Sequence, residues 1–206
     1  MGLVLRKVAL WAVACAALLS GCEGKPVPTA AQTEQVIQER DAVARQYWAA
    51  TRAFQRAPLG FKARLEVAVG SFTACDSGGQ QYQIVAVWEP VGAPPAVQGG
   101  LVQQAVPAIE RAFNGAGWGQ FQPSPSIALN VVATRPEFTL SLDADPANPG
   151  PDERDWTPIE TYTVAGSCIG VTAQAAAELE AVGKEYYGTA PAPLPPIPVP
   201  DWSVAS

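Results

Sequence analysis

From Gln32 to Arg56, apolar residues return at helical spacing. Val36, Val43, Tyr47 and Phe54 form one stripe, with Ile37, Ala44 and Trp48 beside it. Glu39, Arg40, Asp41, Arg45 and Arg52 fall mainly elsewhere, so the segment predicts an amphipathic helix. Thr33 is its candidate cap, without a capping box, and Pro58-Leu59-Gly60 ends it. Lys62 to Cys75 alternates instead, with Leu65, Val67 and Val69 facing one way and Arg64, Glu66 and Ala68 the other. That is the pattern of a half-buried strand. Asp76-Ser77-Gly78-Gly79 predicts a turn, and Tyr82 to Glu89 a second strand completing a hairpin. Leu101, Val102, Ala105, Ile109, Ala112 and Phe113 trace another helical stripe containing Pro107. The helix either kinks at Pro107 or starts near Val106, with the proline in its first turn. Gly115 and Gly117 stop it.

Ile127–Thr134 and Glu137–Asp143 predict strands joined by a tight turn at Arg135-Pro136. In the second, Phe138, Leu140 and Leu142 share one face. Trp156 to Cys168 predicts a fifth strand, and Thr172 opens an alanine-rich helix running to about Tyr187. The expected fold is α+β, a mainly antiparallel sheet of about five strands with helices packed on one face, in the order α-β-β-α-β-β-β-α. Residues 32–188 form its single domain. A tether over 22–31 precedes it, and a proline-rich tail over 189–206, extended or disordered, follows.

The start of the chain follows a different logic. Arg6 and Lys7 precede an apolar run of twelve residues, Val8 to Leu19, and then small residues and a cysteine. This is the order of a secretory signal over residues 1–21. Twelve residues fall well short of the roughly 20 that span a bilayer. Leu19-Ser20-Gly21-Cys22 resembles the lipobox of bacterial lipoproteins. The resemblance implies that Cys22 becomes the first mature residue and carries a diacylglycerol, with palmitate-type acylation of the new amino group. The protein would then be held on the extracytoplasmic face of the cell membrane by covalent lipid. Cys15 would leave with the signal.

Two cysteines remain, Cys75 and Cys168. In an oxidising compartment such a pair reads as a disulfide. The alternative, a thiol pair for metal or redox chemistry, lacks support, because the chain has no CxxC and no histidine. A bond between them would make the first and fifth strands neighbours or near neighbours. The chain has 13 basic and 19 acidic residues; without Arg6 and Lys7 the balance is 11 against 19, or −8. Such a body disfavours nucleic acid and charge-driven binding to anionic headgroups. Abundant alanine, glycine and proline with scarce lysine suit an actinobacterial source.

The element order also resembles that of LppA-like actinobacterial lipoproteins, small exported α+β domains of unknown function. The residues that carry it are the Leu19–Cys22 lipobox, Phe72-Thr73-Ala74-Cys75 and Gly166-Ser167-Cys168. The likeness implies the fold and supplies no activity.

Candidate chemistry is sparse. The stretch "DADPANPGPDERDW" gathers Asp143, Asp145, Asp152, Glu153 and Asp155. Asp143, Asp145 and Asp155 are weak candidates for a hard cation. The EF-hand pattern fails, with Ala147 at its fifth position, Asn148 at its sixth and Arg154 at its twelfth. A solvated surface loop is the expectation. Glu153 and Asp155 beside Trp156 offer the residue types of a glycan-cleaving carboxylate pair. A Ser-His-Asp arrangement is excluded for want of histidine. Trp48 and Trp88 sit on periodic apolar faces and belong in the core, whereas Trp118 and Trp156 are the candidate binding residues. No catalytic residue and no cofactor is expected. The reading is a non-enzymatic envelope module whose partner is an envelope protein, a wall polymer or an apolar ligand. A wall-glycan enzyme and a surface immunity or exclusion factor are the alternatives.

Overall fold

A computed structural model describes residues 29–75, 79–92, 95–119, 121–123, 130–144 and 160–191. The predicted leader, Cys22, residues 76–78 of the first turn and most of the acidic loop and tail lie outside these. The elements are α1 (Ala30–Arg56), β1 (Lys62–Ala74), β2 (Gln80–Val91), α2 (Pro95–Gly115), β3 (Gln122–Pro123), β4 (Asn130–Arg135), β5 (Phe138–Ala144), β6 (Glu160–Ala165), α3 (Ala173–Ala181) and β7 (Glu185–Tyr186). The strands form one antiparallel sheet in the order β3-β4-β5-β6-β2-β1-β7. The α+β class and the helices on one face are as expected. The two additional strands, β3 and β7, are two residues long, too short to leave a periodicity.

Helix α1 begins earlier than the pattern indicates. Thr29, not Thr33, caps it: Thr29 Oγ1 accepts from Gln32 N–H, and Gln32 Oε1 accepts from Thr29 N–H. That is a complete capping box, which satisfies two of the first-turn donors. Its stripe is buried, with Val36, Val43, Ala44, Tyr47 and Phe54 fully enclosed. Phe54 meets Trp88 and Tyr162 at ring-centroid distances of 4.6 and 5.8 Å, and Tyr47 meets Tyr187 at 5.6 Å. Each such side chain contributes roughly 1.5–3 kcal/mol by leaving water. Trp48 and Trp88 are core residues, as their periodicity predicts.

The facing of β1 is corrected. The β1–β2 register shifts between Leu65 and Val67, so an extra residue re-phases the strand. Beyond it Ala68, Gly70 and Phe72 turn inward, while Val67 and Val69 lie on the opposite face, half-buried. A strict period of two cannot foresee a bulge. Phe138, Leu140 and Leu142 do face the core together. Helix α2 runs through Pro107 rather than starting near Val106. Helix α3 is capped by Thr172 but ends at Ala181 rather than near Tyr187. Gly183, at φ +90°, reverses the chain, and Glu185–Tyr186 pairs with β1 at Val69 and Gly70.

Cys75 and Cys168 are bonded, with Cα atoms 6.2 Å apart across 93 residues of sequence. β1 and β6 flank β2, so the two cysteines follow near-neighbour strands, as expected. Backbone bonds between Gln80 and Ile169 extend the ladder to the crosslink. Removing the bond frees denatured-state entropy worth about 4–5 kcal/mol in the chain-entropy model. A small domain has only about 5–15 kcal/mol in all. The double variant C75A/C168A is therefore expected to lower the unfolding free energy by that amount in denaturant titration. A loss below about 1 kcal/mol would contradict this.

Candidate functional site

Most described polar groups that leave water serve to join elements. Arg40, in the N-terminal half of α1, is 6 % exposed. Its Nε donates to Asp41 Oδ1 at 2.8 Å, and its Nη1 lies 3.6 Å from Glu185 Oε1. Glu185 Oε2 accepts from the hydroxyls of Tyr82 (2.7 Å) and Tyr187 (2.9 Å), which lie 2.9 Å from each other. Burial and the neighbouring carboxylate hold both phenols protonated. Gly70 opposite has no alternative, since a Cβ there would collide with the Tyr82 hydroxyl. This network clamps β7 onto the sheet edge and under α1.

On the residue before Arg40, Glu39 Oε1 accepts from Ser167 N–H at 2.6 Å. The carboxylate lies so close to Gly166 that a Cβ would overlap it. Burial raises the Glu39 pKa; the Ser167 N–H partly offsets this, and the Glu137 charge adds to the rise. Gly166-Ser167-Cys168 is thus the place where α1 grips the chain leading into the disulfide. Tyr47 donates to Gly188 O at 3.0 Å, and burial, only partly offset by Thr51, pushes its hydroxyl up to about 12.

Trp118 is not a free surface residue. It is 1 % exposed. Gly117, at φ +86°, closes α2 with Gly117 N–H on Asn114 O (2.8 Å) and Trp118 N–H on Phe113 O (3.1 Å). These are the paired bonds of a Schellman end, which return the following apolar residue to the core. The Gly-x-Gly-Trp order after a helical stripe carried that signal. Arg135, stacked 4.6 Å from the Trp118 ring, donates to Gly117 O (2.9 Å), to Ala116 O and to Gln46 Oε1 (2.7 Å). It thereby satisfies carbonyls at the end of α2. Trp156, Asp145, Asp152, Glu153 and Asp155 lie outside the described residues. Asp143 sits in β5, its backbone paired with Asn130 and Thr161. Among the described residues no group of three metal-capable side chains occurs, and no helix is long and apolar enough to cross a membrane.

What pattern reading missed is a groove between α1 and α2, of about 520 Å³. Ala49, Ala53 and Ala57 line it from the α1 side, and Ala108, Ala112 and Ala116 from the α2 side. Ala49 and Ala53, and Ala108 and Ala112, are four residues apart within their helices, so their methyls stack along one face, and Ala57 and Ala116 follow directly after the helix ends. Small side chains here leave the space. Arg52 and Arg56 on α1 and Arg111 on α2, all exposed, rim it. Sequence inspection places Arg52 off the apolar stripe of α1, but only packing brings Arg111 across from it. A second hollow, of about 430 Å³, runs along Gln35, Gln38, Glu39, Asp41, Ala42 and Arg45, and has no aromatic wall. No protein-family model, curated protein or solved structure matches the chain.

Two outcomes test these roles. Glu185→Ala strips the carboxylate that faces Arg40 and two buried phenols, and is expected to cost about 3 kcal/mol in chemical denaturation. For Glu39, a raised folded-state pKa means that the folded chain holds the proton more tightly than the unfolded one. Its contribution is full below the ordinary carboxyl range and is lost as pH rises through the folded pKa. Glu39→Gln, which does not titrate, should therefore gain in melting temperature relative to the parent between pH of about 4 and 7. A relative loss over that range would refute the assignment.

Proposed function

We propose that the chain is a lipid-anchored protein of the outer face of a bacterial cell membrane that acts as a non-enzymatic binding module. The leader order Arg6-Lys7, apolar run, Leu19-Ser20-Gly21-Cys22 supports the anchor. The Cys75–Cys168 bond fits a chain that matures outside the reducing cytoplasm.

The binding reading rests on one observation, the α1–α2 groove, an open concavity with cationic side chains at its rim. Two half-buried carboxylates serve the fold instead: Glu39 holds a backbone N–H, and Glu185 holds two phenols and Arg40. A glycosidase of the usual kind needs a carboxyl pair free to face substrate. The groove supplies arginines and alanines, which hold and do not cleave.

Mass spectrometry of the protein from its native host tests the anchor. The expected mass begins at Cys22 and includes a diacylglyceryl group with or without an amide-linked acyl chain. Cys22→Ser should leave the leader uncut and shed the lipid mass. An unmodified thiol at Cys22 would overturn the proposal.

A further inference from the structure

We infer that the α1–α2 groove binds an anionic, phosphate-bearing polymer of the cell envelope. The inference rests on the binding-module reading and names the ligand chemistry of that same groove. The charge is what makes the groove unusual. The whole chain is acidic, with 19 carboxylates against 13 cations. From Ala42 to Leu65, by contrast, there is no acidic residue, and Arg45, Arg52 and Arg56 all fall within that stretch. Arg111 joins Arg52 and Arg56 from the facing helix.

Arg52 and Arg111 lie outside the last turns of their helices. Arg135 already occupies Ala116 O and Gly117 O at the end of α2. Arg56, in the last turn of α1, is partly engaged with that helix's dipole, which leaves Arg52 and Arg111 as the stronger pair. Guanidinium groups present paired N–H donors that match phosphate oxygens two at a time. Arg52 and Arg56, four residues apart, place two such forks one helical turn from each other, about 6 Å along the axis. Anionic groups repeating along a polymer can engage both forks at once, whereas a lone phosphate meets one fork. The alanine floor lets the backbone of a ligand lie close to both helices.

Position favours a polymer over the bilayer. The anchor joins the fold through the start of α1 at Ala30. Arg52 lies 22 residues further along the same helix, about 33 Å away. The groove thus opens towards the C-terminal end of α1, away from the end that the expected tether joins.

The test uses the full chain in neutral detergent, with linear inorganic polyphosphate as the probe and isothermal titration calorimetry as the readout. Saturable binding is expected, weakening about tenfold or more between roughly 50 and 200 mM salt, as three released counterions require. R52Q/R111Q should weaken it at least tenfold, with an unchanged melting temperature because both side chains are exposed. R52Q and R111Q alone should each cost several-fold, which keeps the test decisive if the double variant fails to fold. No binding of polyphosphate, or binding indifferent to these variants, would overturn the inference. So would orthophosphate binding as tightly as the polymer, or preferential binding to phosphatidylglycerol vesicles. Because the probe needs no lipid on Cys22, a groove that binds polyphosphate in a chain with an unmodified Cys22 refutes the anchor alone. A lipidated chain that ignores the probe refutes the groove assignment alone.

Discussion

The aromatic seam between α1 and the sheet is the contact on which the other features depend. Tyr47 and Phe54, both fully buried, reach Tyr162, while Phe54 also meets Trp88. Burying such rings is worth several kcal/mol together, a large share of a domain's net stability. Once α1 is laid across β2 and β6, its other faces are committed. The N-terminal half presents Glu39 and Arg40 to the chain segments beside the disulfide and β7. The C-terminal half presents Ala49 and Ala53 to α2.

The polar junctions act on a different level. Arg40–Glu185 with Tyr82 and Tyr187, and Glu39 with Ser167, are costly to desolvate and give little net stability for what they bury. Their effect is positional. Each joins α1 to a short segment with few apolar residues of its own: β7 in one case, the approach to Cys168 in the other. The disulfide adds a covalent constraint at the same end of the sheet. The glycines at 70 and 166 belong to this arrangement, since a Cβ at either would strike the Tyr82 hydroxyl or the Glu39 carboxylate.

The groove is the counterpart of those tight junctions. Where α1 and α2 meet, alanines stand in place of large side chains, and Arg135, not the cations on the rim, holds the Ala116 and Gly117 carbonyls just past the end of α2. A helix pair built only for stability would fill this space with leucine or isoleucine. The arrangement therefore concentrates positive charge and accessible volume in one place on an acidic molecule.

Local pattern was enough for α1, the β1–β2 hairpin, the core face of β5 and the burial of Trp48 and Trp88, because helix and strand periods are written in consecutive residues. It was enough for the cysteine pair, since only two cysteines remain after the expected leader. It failed at the phase of β1, where one bulge residue reverses facing, and at the end of α3, where Gly183 frees Glu185 and Tyr186 to pair with a strand far back in the chain. It misplaced Trp118, whose fate turns on the left-handed Gly117 beside it. The union of Arg52 with Arg111, the clamp from Arg40 to Glu185 and the neighbourhood of Glu39 and Ser167 were decided by tertiary structure alone. Each joins side chains far apart in sequence, and no periodicity links residues whose only relation is the packing of the elements that carry them.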